Sequence, residues 1–178
     1  MQYPVIEALN GILYLVVVGR YGISIEALLY CFLMSALIVL SVIDFRTYEI
    51  PVGINVFIFC LGVVRVVTDW DHLGTYLIGF VSLSAVLLIL YYITNGRGIG
   101  GGDVKLMAAT GLLLGWQCNL LSFALGCIVG SVIHVLRMRL SGEDHVLALG
   151  PYLSIGIAIS ALWGNDFIQW YLTTMLGF

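Results

Sequence analysis

The sequence predicts an all-α fold, a polytopic membrane helix bundle of about seven spans with a glycine-rich loop ahead of one of its acids. Three observations carry this. Of 178 residues, 61% are hydrophobic and only 10% are charged, where a soluble domain carries roughly a quarter. Mean hydropathy is +1.08. Apolar runs close to the length a bilayer needs, about 20 residues, recur along the chain between short polar stretches. They are too long and too many for cleaved signals, and no cleavage pattern opens the chain. No linker or low-complexity stretch interrupts it, so residues 1–178 are read as a single membrane domain.

Taken in order, the first span runs from about Pro4 to Val18 and contains Glu7 and Asn10. Gly19-Arg20-Tyr21-Gly22 makes a turn, and a second span covers Ser24 to Ile43. A polar patch from Asp44 to Glu49 leads to Ile50-Pro51. Pro51 suits the first turn of the third helix, Val52 to Val67, because its missing N–H has no helical partner there. Thr68 to His72 is a short loop, and Leu73 to Ile93 is the longest uninterrupted span. Five glycines (Gly96, Gly98, Gly100, Gly101 and Gly102) then precede Asp103. Such a cluster permits positive φ and close backbone approach. The fifth span, Val104 to Trp116, is short, and the sixth is Cys118 to Leu136. A charged loop from Arg137 to His145 precedes the seventh, Val146 to Trp163, where Pro151 is expected to cause a kink. Gly164-Asn165-Asp166 should end that span, leaving the apolar segment Phe167 to Phe178 to lie in the membrane interface.

Alternation places the loops at Asp44–Pro51, Asn95–Asp103 and Arg137–His145 on one side. That side holds Arg46, Arg97, Lys105, Arg137 and Arg139, against Arg20 and Arg65 on the other. Basic residues favour the cytoplasm. The N-terminus and both Asp44 and Asp103 are therefore expected to face it, with the C-terminus outside. No basic patch supports nucleic-acid binding. Cys31, Cys60, Cys118 and Cys127 form no CxxC pair, so they read as buried free thiols rather than zinc ligands. His134 reads as a packed or interfacial side chain. The glycine pairs Gly111/Gly115 and Gly126/Gly130 have the spacing of close helix packing.

Asp44 closes the second span and Asp103 opens the fifth. For each, an ordinary interfacial carboxylate, paired with Arg46 or Lys105 or capping a helix, is as reasonable a reading as a functional acid. Two acids in matching positions tip the balance. Two close carboxylates cannot both ionise easily, so one keeps its proton. The ionised member can take a proton from water, and the protonated member can donate to the carbonyl of a scissile bond. This chemistry calls for no metal and no cofactor. The positive end of the fifth helix points to Asp103 as the more acidic of the two. Glu49 lies close enough in sequence to assist Asp44, but a side chain snorkelling to the membrane interface is the better reading of it.

Gly100-Gly101-Gly102-Asp103 is a GxGD motif, and Asp44 to Pro51 is an acid leading into Ile-Pro. In that order, at matching span ends, the two resemble the type IV prepilin peptidase family of membrane aspartic peptidases. Gly150-Pro151-Tyr152-Leu153 resembles a third, weaker family segment. Tyr3-Pro4-Val5-Ile6-Glu7 resembles the point where bifunctional members re-enter the membrane. The resemblance implies an endopeptidase of the bacterial inner membrane. It would cleave the basic leader of prepilins or pseudopilins, in type IV pilus or type II secretion systems, at the cytoplasmic face. Asp44 and Asp103 would be catalytic, with Gly100, Gly102, Lys105 and Pro51 shaping the loop or contacting substrate. The partners implied are a substrate with a hydrophobic N-terminal helix, and membrane lipid. Val52 stands where the family often has Asn, and Leu147-Ala148-Leu149 lacks a common proline. The cytoplasmic CxxC segment of bifunctional members is absent from these residues, so N-methyltransferase activity is not expected. The alternative from another class is a small proton- or cation-coupled transporter using the same acids.

Overall fold

The computed structural model describes residues 3–96, 98–141 and 148–175; of Tyr3, Arg137, Leu140 and Ser141 only the backbone is described. Expectations placed on Arg97, Glu143, Asp144, His145 and the start of a span at Val146 lie outside these residues. Among the described residues, seven α-helices follow in the predicted order: α1 (Tyr3–Tyr21), α2 (Ile25–Thr47), α3 (Val52–Thr68), α4 (Leu73–Ile93), α5 (Gly101–Leu114), α6 (Trp116–Ser141) and α7 (Gly150–Met175). A 3-10 turn, Trp70–His72, joins α3 to α4, and no strand occurs among the described residues. The chain is an all-α membrane helix bundle. Among the described residues, four stretches are long and apolar enough to cross a bilayer: Pro4–Tyr21, Ile25–Thr47, Trp70–Ile93 and Trp116–Leu136. At 1.5 Å per residue, α5 is only about 21 Å long, well short of a roughly 30 Å hydrocarbon core.

The short helix is also the central one. It packs against α3, α4 and α6, while α7 packs on both α2 and α6, and α1 lies against α2. Leu106, Met107 and Leu113 of α5 are fully shielded and join a core with Leu33, Met34, Leu40, Ile58, Leu87, Leu153 and Ile157. Exposed Leu15, Val56, Ile89 and Ile128 face outward, as lipid-facing side chains do. Two seams depend on glycine. A Cβ at Gly111 would lie 2.1 Å from the Gly79 carbonyl oxygen, and one at Gly156 would lie 2.2 Å from that of Ser122. Backbones of α4 and α5, and of α6 and α7, touch directly there. Thr110 and Asn119 tie α5 to α6: Thr110 Oγ1 donates to Asn119 Oδ1 at 2.9 Å, and Asn119 Nδ2 to the Met107 carbonyl at 2.9 Å.

Several expectations change. Pro151 causes no kink, because α7 starts at Gly150 and the proline falls in its first turn. Nor does Gly164-Asn165-Asp166 end that helix, which continues to Met175. Gly164 fits against Cys118, Asn165 accepts from the Cys118 thiol, and Asp166 pairs with Arg20. The segment after Phe167 thus extends α7 instead of forming a separate interfacial piece. Pro51 precedes α3 as its cap residue rather than sitting in its first turn. Of the four thiols, which are all free, only Cys118 is buried; Cys60 is exposed, and Cys31, Cys127 and also His134 are half-buried.

Candidate active site

Asp44 lies in the last turn of α2 and is 4% exposed; Asp103 is the third residue of α5 and is 8% exposed. Both carboxylates line one cavity of about 290 Å³, together with Tyr48, Glu49, Ile50 and Gly100 to Gly102. They are also within electrostatic reach of each other. Two acids far apart in sequence are therefore neighbours at one end of the bundle.

Backbone geometry makes this meeting possible. After Thr47, Tyr48 takes the left-handed conformation (φ 55°), and its N–H donates to the Asp44 carbonyl at 2.8 Å. This stops α2 and turns the chain into Glu49 and Ile50. Ile50 lies directly on Gly102, where a Cβ would sit 2.9 Å from the isoleucine Cβ. Among the described glycines of the cluster, only Gly96 has positive φ (73°). The glycines next to Asp103 thus supply room rather than unusual dihedrals. At Gly100, a Cβ would crowd Asp103 Oδ2 at 3.0 Å.

Each acid is gripped by a backbone amide. The Gly150 N–H donates to Asp44 Oδ2 at 2.9 Å, bringing the N-terminus of α7 onto that carboxylate. A Cβ at Gly150 would stand 2.6 Å from the same oxygen. Asp103 Oδ2 accepts from the Gly100 N–H at 3.3 Å, reaching back over the start of its own helix. Both carboxylates therefore meet the positive N-terminus of a helix, α5 for Asp103 and α7 for Asp44, although Asp44 itself belongs to the last turn of α2. The sequence argument used that effect for Asp103 alone; the shorter bond from Gly150 gives Asp44 the better-held charge.

Gly100 and Gly102 line the cavity, whereas Lys105 and Pro51 are not among its lining residues. Lys105 is exposed and Pro51 half-buried. Two contributors were given no role by the sequence argument. Gly150 opened only the weaker family segment, beside the kink expected at Pro151, yet it delivers the amide to Asp44. Asn55, in the first turn of α3, is 5% exposed; its Nδ2 donates to the Gly102 carbonyl at 3.2 Å, and its Oδ1 is buried without a partner. An asparagine inside an otherwise apolar run, within a turn of Pro51, was the signal available for it.

The family model described as the type IV leader peptidase family matches residues 31–135, which include both acids. The chain belongs to the type IV leader peptidase family. Curated relatives of this family member agree. It is 35% identical over 93% of its length to a prepilin leader peptidase/N-methyltransferase of Pseudomonas putida, covering 60% of that protein. It is 31% identical over 98% of its length to the same-named protein of Aeromonas salmonicida (strain A449), covering 62%. To that of Pseudomonas aeruginosa it is 28% identical over 96%, covering 61%. The chain spans about three fifths of the length of these relatives. No solved structure matches this leader-peptidase family member.

Proposed function

We propose that this chain is an aspartic endopeptidase that removes the basic leader of type IV prepilins or pseudopilins at the cytoplasmic face of the membrane, with Asp44 and Asp103 as its catalytic pair. The observation that carries the reading is the shared cavity: both buried acids open into it from different helices. Asp44, held by Gly150, acts as the ionised member and takes a proton from a water between the two. Asp103 holds the other proton and donates it to the carbonyl oxygen as water attacks the carbon. Collapse of the tetrahedral species breaks the C–N bond, and the departing amine takes a proton from the dyad. The products are a leader carboxylate and a new amino terminus. Glu49 on the cavity rim adds negative charge toward a basic leader.

The position of both acids at helix ends favours this over the transporter reading, which wants acids near the bilayer midplane. Peptidase activity alone is proposed for these residues. The test is incubation of purified protein with a prepilin-like peptide in lipid, repeated with Asp44→Asn and Asp103→Asn. Folded but inactive variants support the dyad; cleavage by either variant, or acid-dependent ion flux without cleavage, refutes it.

A further inference from the structure

The cavity that holds the two acids has parts the cleavage chemistry leaves unused. Of its lining residues, Asp44 and Asp103 supply the proposed reaction, Gly100 to Gly102 supply room, and Ile50 packs on Gly102. Tyr48 and Glu49 remain. Tyr48 is 55% exposed, and Glu49 is exposed as well. The hydrogen bonds these two residues make use the Tyr48 N–H and the Glu49 carbonyl. Among the described residues, neither side chain has a partner within the protein. Nor does any Lys, Arg or His line the cavity among those residues.

The local fold does not ask for a tyrosine here. Position 48 ends α2 in the left-handed conformation (φ 55°, ψ 27°), which glycine takes freely, asparagine tolerates and a bulky residue disfavours. Among the described residues, the other non-glycine with positive φ is an asparagine, Asn95. Costly backbone conformations persist at sites where the side chain serves a function. The Tyr48 N–H also donates to the Asp44 carbonyl at 2.8 Å, so the ring is mounted one helical turn from a reacting carboxylate. The cavity, at about 290 Å³, falls just under the ordinary range of small-ligand sites, roughly 300–1,000 Å³. It takes only the residues flanking a scissile bond, and a peptide entering it passes Tyr48 and Glu49. An aromatic face beside a carboxylate suits a Lys or Arg side chain, whose aliphatic stem lies on the ring while its charged head meets ring and carboxylate together.

We propose that Tyr48 is a specificity-determining residue of this peptidase: its ring packs against a basic side chain of the leader beside the scissile bond, and Glu49 takes the charge. This rests on the peptidase reading above. The test compares two prepilin-like peptides, one with Lys in the leader next to the cleavage site and one with norleucine there, which keeps the stem and removes the ammonium. Wild-type protein in lipid should cleave both, with the lower KM for the Lys peptide. Tyr48→Asn should raise KM for the Lys peptide by about two- to fivefold, the worth of one exposed cation–π contact. It should leave kcat, and KM for the norleucine peptide, near their wild-type values, as a pairwise coupling requires. Tyr48→Phe keeps the ring and should behave as the wild type. Because Asn and Gly suit the left-handed backbone, Tyr48→Asn and Tyr48→Gly should unfold at or above the wild-type temperature. Four results would each overturn the proposal: an unchanged KM for the Lys peptide, an equal rise for both peptides, a fall in kcat alone, or a lower unfolding temperature in both variants. Wild-type protein that cleaves neither peptide would instead sink the peptidase reading itself, and this proposal with it.

Discussion

The two ends of the bundle handle acids in opposite ways. At the far end, Glu26, Asp69 and Asp166 each face a cation, Arg65 or Arg20. At the near end, Asp44 and Asp103 are gripped by single backbone amides of Gly150 and Gly100 and open into a shared cavity. A paired carboxylate has its charge neutralised and its geometry fixed, so it serves stability. A carboxylate held through one oxygen by an amide keeps lone pairs free for water or substrate, and its proton can still move. The burial that makes the near-end arrangement expensive is the same burial that makes the acids useful.

The hardest blow to this contrast falls on the acids themselves. Asp44→Asn and Asp103→Asn should each lower leader cleavage by roughly 10²–10⁴-fold, the usual worth of a general acid or base. Circular dichroism and gel filtration should remain as in the wild type. The wild-type rate should be bell-shaped in pH, falling on the acid side as the ionised partner takes up a proton and on the alkaline side as the other loses its own. Next comes Gly150→Ala. Its methyl must displace Asp44 or the start of α7, and a shift of about 1 Å at a reacting group can cost roughly 10²-fold. Single-turnover cleavage would reveal it, with unchanged peptide binding. Wild-type rates would mean the Gly150 amide is dispensable.

A smaller effect is expected at Asn55, which anchors the turn before Asp103. Asn55→Ala should reduce kcat by about fivefold, from one hydrogen bond of about 1 kcal/mol, and leave KM near its original value. The smallest change tests the other end. Arg65→Met should lower unfolding free energy by about 1 kcal/mol, since its partners are partly solvated, and leave cleavage unaltered. Impaired cleavage in that variant would couple the two ends and break the comparison.

Much of this molecule was readable one residue after another. The apolar runs gave seven helices in order, because a backbone in lipid must satisfy its own hydrogen bonds and the helix does so locally. Asp44 and Asp103 stood out because ionisable groups are rare and costly in such a chain. Helix ends were less legible. Pro151 carries the same local signal whether it kinks a helix or starts one, and Gly164-Asn165-Asp166 reads as a stop until Cys118 and Arg20 supply partners.

What the linear order of residues determined was therefore the bundle and the identity of its two conspicuous acids, since hydropathy and charge act at each position separately. Only the tertiary structure decided that these acids share a cavity, that α7 turns the Gly150 amide onto Asp44, and that Asn55 holds the Gly102 carbonyl. The reason is physical: each of those contacts joins segments distant in the chain, and its existence depends on how closely glycine-lined helices can approach.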